Sequence, residues 1–170
     1  MKSSFKDITT LVFDVDGVLT DGGVFVTDSG ERFRQFNIKD GYALQLAVKC
    51  GYHVCAISGA SAESTRIRLN DLGIKDVFLG SKDKVATLNS YLDSVTAIAA
   101  NVLYMGDDIP DLNVMKQVGL PVCPSDAAEE IKAISTYISP IAGGKGCARD
   151  VIEKVMKVQG KWMSAEAHSW

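Results

Sequence analysis

Histidine is nearly missing from this 170-residue chain: only His53 and His168 occur. One lies in an apolar run beside Val54 and the other near the C-terminus, so both read as structural. With no H-E-x-x-H and no histidine placed as a base, a zinc hydrolase or a phosphohistidine enzyme is disfavoured, and any chemistry falls to carboxylates. No apolar run approaches the ~18 residues that span a bilayer, and residues 1–7 lack the charged-then-apolar pattern of a secretion signal. The four cysteines, Cys50, Cys55, Cys123 and Cys147, form no C-x-x-C pair and lie in apolar surroundings. They read as reduced core thiols of a cytoplasmic protein. A strong excess of one charge is missing too. The net charge of -3 gives no reason to expect nucleic acid or a membrane surface as partner, and an anionic ligand must be drawn by local positive charge. Residues 143–146 are no nucleotide loop, because G-x-x-x-x-G-K-[ST] is absent.

What is present is a hydrophobic fraction of 46% against 23% charged residues, the balance of an ordinary globule, in a length of about one domain. With no repeat, low-complexity tract or linker, residues 1–170 read as a single domain. Short apolar runs alternate with helical patterns. Residues 11–13 form the first strand and lead into Asp14 and Asp16. Residues 24–27 and 32–37 flank Asp28-Ser29-Gly30 and predict an inserted β-hairpin, a flap over about 22–37. Asp40 precedes a helical pattern that Gly51 stops, and 53–57 is a strand. Ser61 is the expected cap of the next helix, followed by a strand at 77–79, a helix at 82–91 and a strand at 102–105. Pro110 suits a first helical turn. Pro121 makes 120–123 an edge strand or a strand start. Ser125 or Asp126 is the expected cap of a helix reaching Ile134, 137–138 is a last strand, and 148–159 is the final helix. The alternation predicts an α/β fold: a doubly wound, mainly parallel sheet with helices on both faces, plus the hairpin, and no cap domain. The tail, about 160–170 with Trp162 and Trp170, is expected to be disordered or packed on a neighbour.

Ligands of open α/β sheets bind beyond the carboxyl ends of the strands. Residues i and i+2 of an extended chain point the same way, so Asp14 and Asp16 face one cleft. Ser58 and Gly59 follow the second strand, Asp107 and Asp108 with Asp111 beyond follow the fourth, and Lys84 opens the helix between. Carboxylates gathered there repel one another unless they hold a hard cation or share a proton, and oxygen ligands select Mg²⁺. Each piece alone has a bland reading, since Asp and Gly favour turns and one lysine is commonly a solvated face. The ordered set does not.

That set is D-V-D-G-V-L-T at 14–20, Ser58 after an apolar strand, Lys84, and G-D-D-I-P-D at 106–111. It resembles the magnesium-dependent phosphatase branch of the haloacid dehalogenase superfamily, and the resemblance implies its Rossmann-like fold and its residue roles. Asp14 would be the nucleophile that forms an aspartyl-phosphate, and Asp16 the general acid and then base. Ser58 and Lys84 would hold the transferring phosphoryl group. Asp14, the backbone carbonyl of Asp16, and Asp107 would bind Mg²⁺, with Asp108 in support. The chemistry agrees: a phosphate monoester dianion repels a carboxylate nucleophile until cations neutralise its oxygens, and the leaving alkoxide needs a proton.

The hairpin, F-N-I-K-D-G-Y at 36–42 and G-G-K-G-C-A-R at 143–149 are similar to a small capless tetrameric branch. That branch dephosphorylates 3-deoxy-D-manno-octulosonate 8-phosphate in lipopolysaccharide synthesis, and its C-terminal segment approaches the site of an adjoining subunit. The resemblance implies a phosphorylated sugar acid as substrate and a homotetramer whose neighbours close each site. The apolar Val24, Phe25, Val26, Phe33 and Phe36 and the hairpin's unpaired edges point to the same assembly. Gly59, Lys39, Arg66, Arg68 and Lys145 are the candidates for substrate contacts. Ala60 stands where the octulosonate branch often carries arginine, which leaves open a nine-carbon keto-deoxy acid 9-phosphate. From other classes, a receiver domain has a different order of acidic and hydroxyl residues, and a phosphomutase requires a cap that excludes water. A catalytically silent oligomerisation module would usually have lost Asp14, Asp16 or Lys84.

Overall fold

The structure, a computed structural model, describes residues 4–169. Trp170 of the tail lies outside the described residues. Six parallel strands form the main sheet: β1 (Thr10–Phe13), β4 (His53–Ile57), β5 (Asp76–Phe78), β6 (Val102–Met105), β7 (Leu120–Cys123) and β8 (Tyr137–Ile138), in the order β5-β4-β1-β6-β7-β8. The chain runs outward from β1 through β4 to β5, then returns to the other flank of β1 and builds β6 to β8. The order reverses at β1, so the switch point faces the carboxyl ends of β1, β4 and β6.

Both faces of the sheet are covered, and β1 shows why its residues 11–13 are all apolar. Leu11 and Phe13 pack into one core with α1 (Ile38–Lys49), α2 (Glu63–Asp71) and α6 (Cys147–Val158). Val12 packs into the other core with α3 (Lys84–Ser94), α4 (Leu112–Met115) and α5 (Glu129–Ile134). Alternate residues of a doubly covered strand enter different cores, so neither face of the strand meets solvent. The fold is the Rossmann-like α/β architecture expected, and the described residues build no cap domain. Among them, no helix is long and apolar enough to cross a membrane.

The hairpin forms between β2 (Phe25–Val26) and β3 (Arg32–Phe33), with Phe25 opposite Phe33. Several local expectations need correction. Asp40 lies inside α1, which starts earlier because the Asn37 side chain accepts the N–H groups of Lys39 and Asp40. Buried Asp40 instead reaches across to α6 and accepts the Arg149 N–H at 2.7 Å. Ser61 does not cap α2, and neither Ser125 nor Asp126 caps α5; the residues at those caps, Ala62 and Ala128, have no side-chain acceptor. Asp126 accepts the Gly143 N–H instead, at 2.9 Å. Strand β7 is internal. Pro121, the second residue of β7, turns its carbonyl to the β8 side, where it takes the Thr136 N–H, so its missing donor falls on that side before β8 begins and removes no bond to β6. The tail through Ser169 packs on its own chain. Trp162 is buried under the Arg149 guanidinium, and the Lys49 ammonium donates to the Ser169 carbonyl at 2.9 Å. All four cysteines are free thiols, three of them buried.

Candidate active site

The first acidic side chain stands where β1 ends. The Asp14 N–H still bonds the Met105 carbonyl at 2.9 Å, so the backbone is held to β6 one residue beyond the strand. The chain then makes a wide turn at Val15–Leu19, broken by non-helical angles at Asp16 and by φ +84° at Gly17. This turn aims Asp14 and Asp16 into one cleft of about 330 Å³. The loop at 143–146 braces it: the Gly144 N–H donates to Val18 O at 2.8 Å, and a Cβ on Gly143 would lie 2.0 Å from Gly17 O. Only glycine allows that approach. The segment expected to approach an adjoining subunit thus packs against the turn of its own chain.

Asp14 Oδ1 accepts the Val15 N–H at 2.7 Å and the Lys84 ammonium at 3.0 Å. Lys84 is the first residue of α3, behind the cap Asp83. It also donates to Asp111 Oδ1 at 2.8 Å. Asp111 is fully buried. Its Oδ1 further accepts the Tyr104 hydroxyl at 2.8 Å, and its Oδ2 the Asp107 N–H at 3.3 Å. Asp107 completes the group: ligand oxygens of Asp14, Asp107 and Asp111 lie within 4.8 Å of one another.

Burial, reinforced by the Asp111 charge, raises the Asp14 carboxyl to about 8 against the pull of Lys84. Burial, with Asp111 and Asp108 adding to it, raises Asp107 to about 7. For Lys84, burial opposes the charge, but the two carboxylates outweigh it and hold the ammonium above the ordinary lysine range. The one ammonium bonds two of the three clustered carboxylates, and the uncompensated negative charge favours binding a proton or a cation there. The Asp107 Oδ1 atom is buried with no hydrogen-bond partner. An orphaned carboxylate oxygen in an all-oxygen cluster is what a hard divalent cation satisfies, so the residues present fit Mg²⁺.

Ser58 follows the last residue of β4 and is buried, its Oγ accepting the Ala60 N–H at 3.1 Å. Together with Gly59 and Ala60 it lines the cleft opposite Asp107 and Asp108. Asp108 also lines the cleft, but it is exposed, and its Oδ1 caps the Ile109 N–H at 2.8 Å. Asp16 is held by the hairpin: Arg34 Nε donates to its Oδ1 at 2.6 Å and Nη2 to its Oδ2 at 3.4 Å.

The structure therefore brings Asp14, Asp16, Ser58, Gly59, Lys84, Asp107 and Asp108 to one cleft. It does not bring the other basic candidates there. Arg66 donates to the Val77 carbonyl at 2.6 Å and pairs with Glu63. Arg68 lies beside Gly41 between α1 and α2. Lys145 pairs with Asp21 at 3.0 Å, and Lys39 is exposed on α1. Among the described residues, Lys84 is the one cation lining the cleft. Sequence reasoning missed Arg34 and Tyr104 and underweighted Asp111. The spacing of Asp111, four residues after Asp107 across a proline, was a usable signal for one turn presenting both. Nothing in the local pattern marked Arg34.

Residues 64–149 match the pattern of the haloacid dehalogenase-like hydrolase family. The 3-deoxy-D-manno-octulosonate 8-phosphate phosphatase of Escherichia coli K12 is 35% identical over 164 residues, 96% of this chain and 87% of that one.

The chain belongs to that family.

Solved structures of haloacid dehalogenase-like hydrolases superpose closely. The octulosonate 8-phosphate phosphatase of Yersinia pestis does so with a TM-score of 0.90 at 34% identity, over 92% of this chain and 85% of that one. That of Moraxella catarrhalis, in complex with magnesium, phosphate and the octulosonate, gives 0.89 at 31%, over 92% and 90%. The chain is a phosphoric monoester hydrolase of the haloacid dehalogenase type.

Proposed function

We propose that the enzyme hydrolyses 3-deoxy-D-manno-octulosonate 8-phosphate, through an aspartyl-phosphate on Asp14, in the cytoplasmic synthesis of lipopolysaccharide. One observation carries the mechanism: Asp14 shares Lys84 with buried Asp111 while the Asp107 oxygen beside them is unpartnered. The substrate rests on the similarity to octulosonate phosphatases along nearly the whole chain.

In this reading an Asp14 oxygen attacks phosphorus and the bond to the ester oxygen breaks. Asp16 gives that oxygen its proton. Asp16 then takes a proton from the water that attacks the aspartyl-phosphate, releasing phosphate and restoring Asp14. Asp16 must carry a proton when the alkoxide leaves, so its bridge to Arg34 has to open at that step. Lys84 and Ser58 hold the phosphoryl oxygens. Asp14 and Asp107, with the backbone carbonyl of Asp16, would hold Mg²⁺, which supplies neutralisation of the phosphoryl charge. Asp111 anchors the set through Lys84 and Tyr104, and Asp108 supports it as the cap of the next turn.

The hairpin exposes Phe25 at 69% and Phe33 at 54%, with both strand edges unpaired. A monomer displaying that face is prone to association, which supports a homotetramer built through the hairpins. Sedimentation at micromolar concentration tests this, and a monomer overturns it. The substrate is tested by phosphate release with Mg²⁺ from a panel of phosphorylated sugars and sugar acids, with Asp14→Asn alongside. The octulosonate 8-phosphate is expected to turn over fastest, and the mutant to be inactive. Ala60, with no long side chain at the cleft wall, leaves open a nine-carbon acid 9-phosphate without favouring it. Fastest turnover of that acid would replace the substrate and leave the mechanism standing.

A further inference from the structure

A second cavity adjoins the reaction cleft. It holds about 460 Å³ between the hairpin and the first turn of α2, with Arg32 and Arg34 on one side and Ala60, Ser61 and Ser64 on the other. Ala60 lines this cavity and the cleft alike, so the two meet at a residue whose side chain is a single methyl group. Arg34 borders the cavity while its Nε and Nη2 hold Asp16. Its Nη1 has no hydrogen-bond partner among the described residues. The Arg32 guanidinium has no partner among them at all. Glu63, the acidic residue on the lining, is paired with Arg66 at 3.4 Å. The cavity is therefore lined by two guanidinium groups and one carboxylate that is already engaged.

We propose that this cavity takes the carboxylate end of a phosphorylated sugar acid, with Arg32 and Arg34 of the same chain as its counter-ions. The inference rests on the sugar-acid reading above and deepens it. A sugar acid phosphorylated at its last carbon is anionic at both ends, and a cleft whose one lining cation is Lys84 provides for the phosphoryl end alone. Arg66, Arg68, Lys145 and Lys39 are placed elsewhere. The hairpin arginines are next to the cleft, and a guanidinium offers carboxylate a planar two-donor fork. In a chain of net charge -3, such local positive charge is what draws an anion.

The test is the ratio of kcat/KM for 3-deoxy-D-manno-octulosonate 8-phosphate to that for mannose 6-phosphate, a neutral sugar carrying the same phosphoryl group. Wild type, Arg32→Gln and Arg32→Lys are compared, with Mg²⁺ saturating. Loss of a charge-assisted bond to the carboxylate lowers the ratio about tenfold or more in Arg32→Gln, chiefly through KM for the acid. Arg32→Lys recovers part of it, because the charge returns without the fork. A ratio in Arg32→Gln within about threefold of a wild type that does prefer the acid overturns the subsite and leaves the sugar-acid reading intact. A wild type with no preference for the acid removes that reading, and the subsite with it.

Discussion

Gly17 turns the chain at φ +84° against Asp107, and a Cβ built on it lies 2.0 Å from Asp107 Oδ2 and 2.5 Å from its Cγ. Gly17→Ala therefore has two separable effects. A left-handed backbone costs a non-glycine residue roughly 1–2 kcal/mol. That is a small part of a fold stability of about 5–15 kcal/mol, so the variant stays folded, with a Tm lower by about 2–8 °C. The contact has the larger consequence. Real Cβ contacts are not found under 3.0 Å, so the Asp107 carboxylate has to retreat by about 1 Å from the 2.0 Å approach. Misplacement on that scale in a reacting centre costs about 10²-fold in rate. Gly51→Ala is the control, since Gly51 has φ +82° with nothing within 4 Å of its added Cβ. Thermal unfolding and kcat/KM across a Mg²⁺ titration are measured on both variants. Both are expected to lose similar stability, while Gly17→Ala alone loses about 100-fold in kcat/KM and needs more Mg²⁺. Activity of Gly17→Ala within about tenfold of Gly51→Ala would refute the reasoning that Asp107 is held where the cation binds.

Three further outcomes follow from the same geometry. Lys84→Met leaves two buried carboxylates, Asp14 and Asp111, without their shared counter-charge. It should cost about 3–5 kcal/mol in urea unfolding with a chelator present and abolish turnover, and a loss below about 1 kcal/mol would contradict the buried network. Protons on Asp14 (about 8) and Asp107 (about 7) compete with a cation, so the rise in Tm at fixed Mg²⁺ should be larger at pH 8 than at pH 6. An equal or larger rise at pH 6 would count against these carboxylates as ligands. Burial raises Asp40 from 3.8 to about 6, so between those values the folded chain keeps a proton that the unfolded chain has lost. Stability therefore falls as pH rises from about 4 to 6, by roughly 3 kcal/mol from this group. Asp40→Asn should flatten that slope in urea unfolding, and an unchanged slope would show Asp40 to be uninvolved.

Much of this molecule is legible one segment at a time. Backbone periodicity is a local property, so the apolar run before Asp14, the turn at Asp28-Ser29-Gly30 and the strand at Val102–Met105 appear in the sequence much as they do in space. The alternation of strands and helices implies a parallel sheet, and the common direction of its strands carries Asp14, Ser58 and Asp107 to the same edge before any coordinates exist. Helix starts are less legible, because a cap is chosen among several nearby polar residues. Asn37 took the role expected for the region of Asp40, and Asp126 turned to Gly143 instead of α5.

The partners of long side chains belong to the tertiary structure alone. Arg34 meets Asp16 across 18 positions, Lys84 meets Asp111 across 27, and Lys145 meets Asp21 across 124. Which cation meets which carboxylate depends on how the hairpin folds back over the cleft and how α1, α3 and α6 lie on the sheet. For the same reason Arg66 and Lys145, basic residues near the right loops, are engaged by Val77 and Asp21, while Arg32 and Arg34 line the cavity beside the cleft. The order of acidic, hydroxyl and basic groups along the chain defines the chemistry, because the sheet gathers strand ends whatever the side chains between them. Which guanidinium stands beside the cleft is decided by the packing of the hairpin, since a guanidinium on a flexible stem has no address until its neighbours are in place.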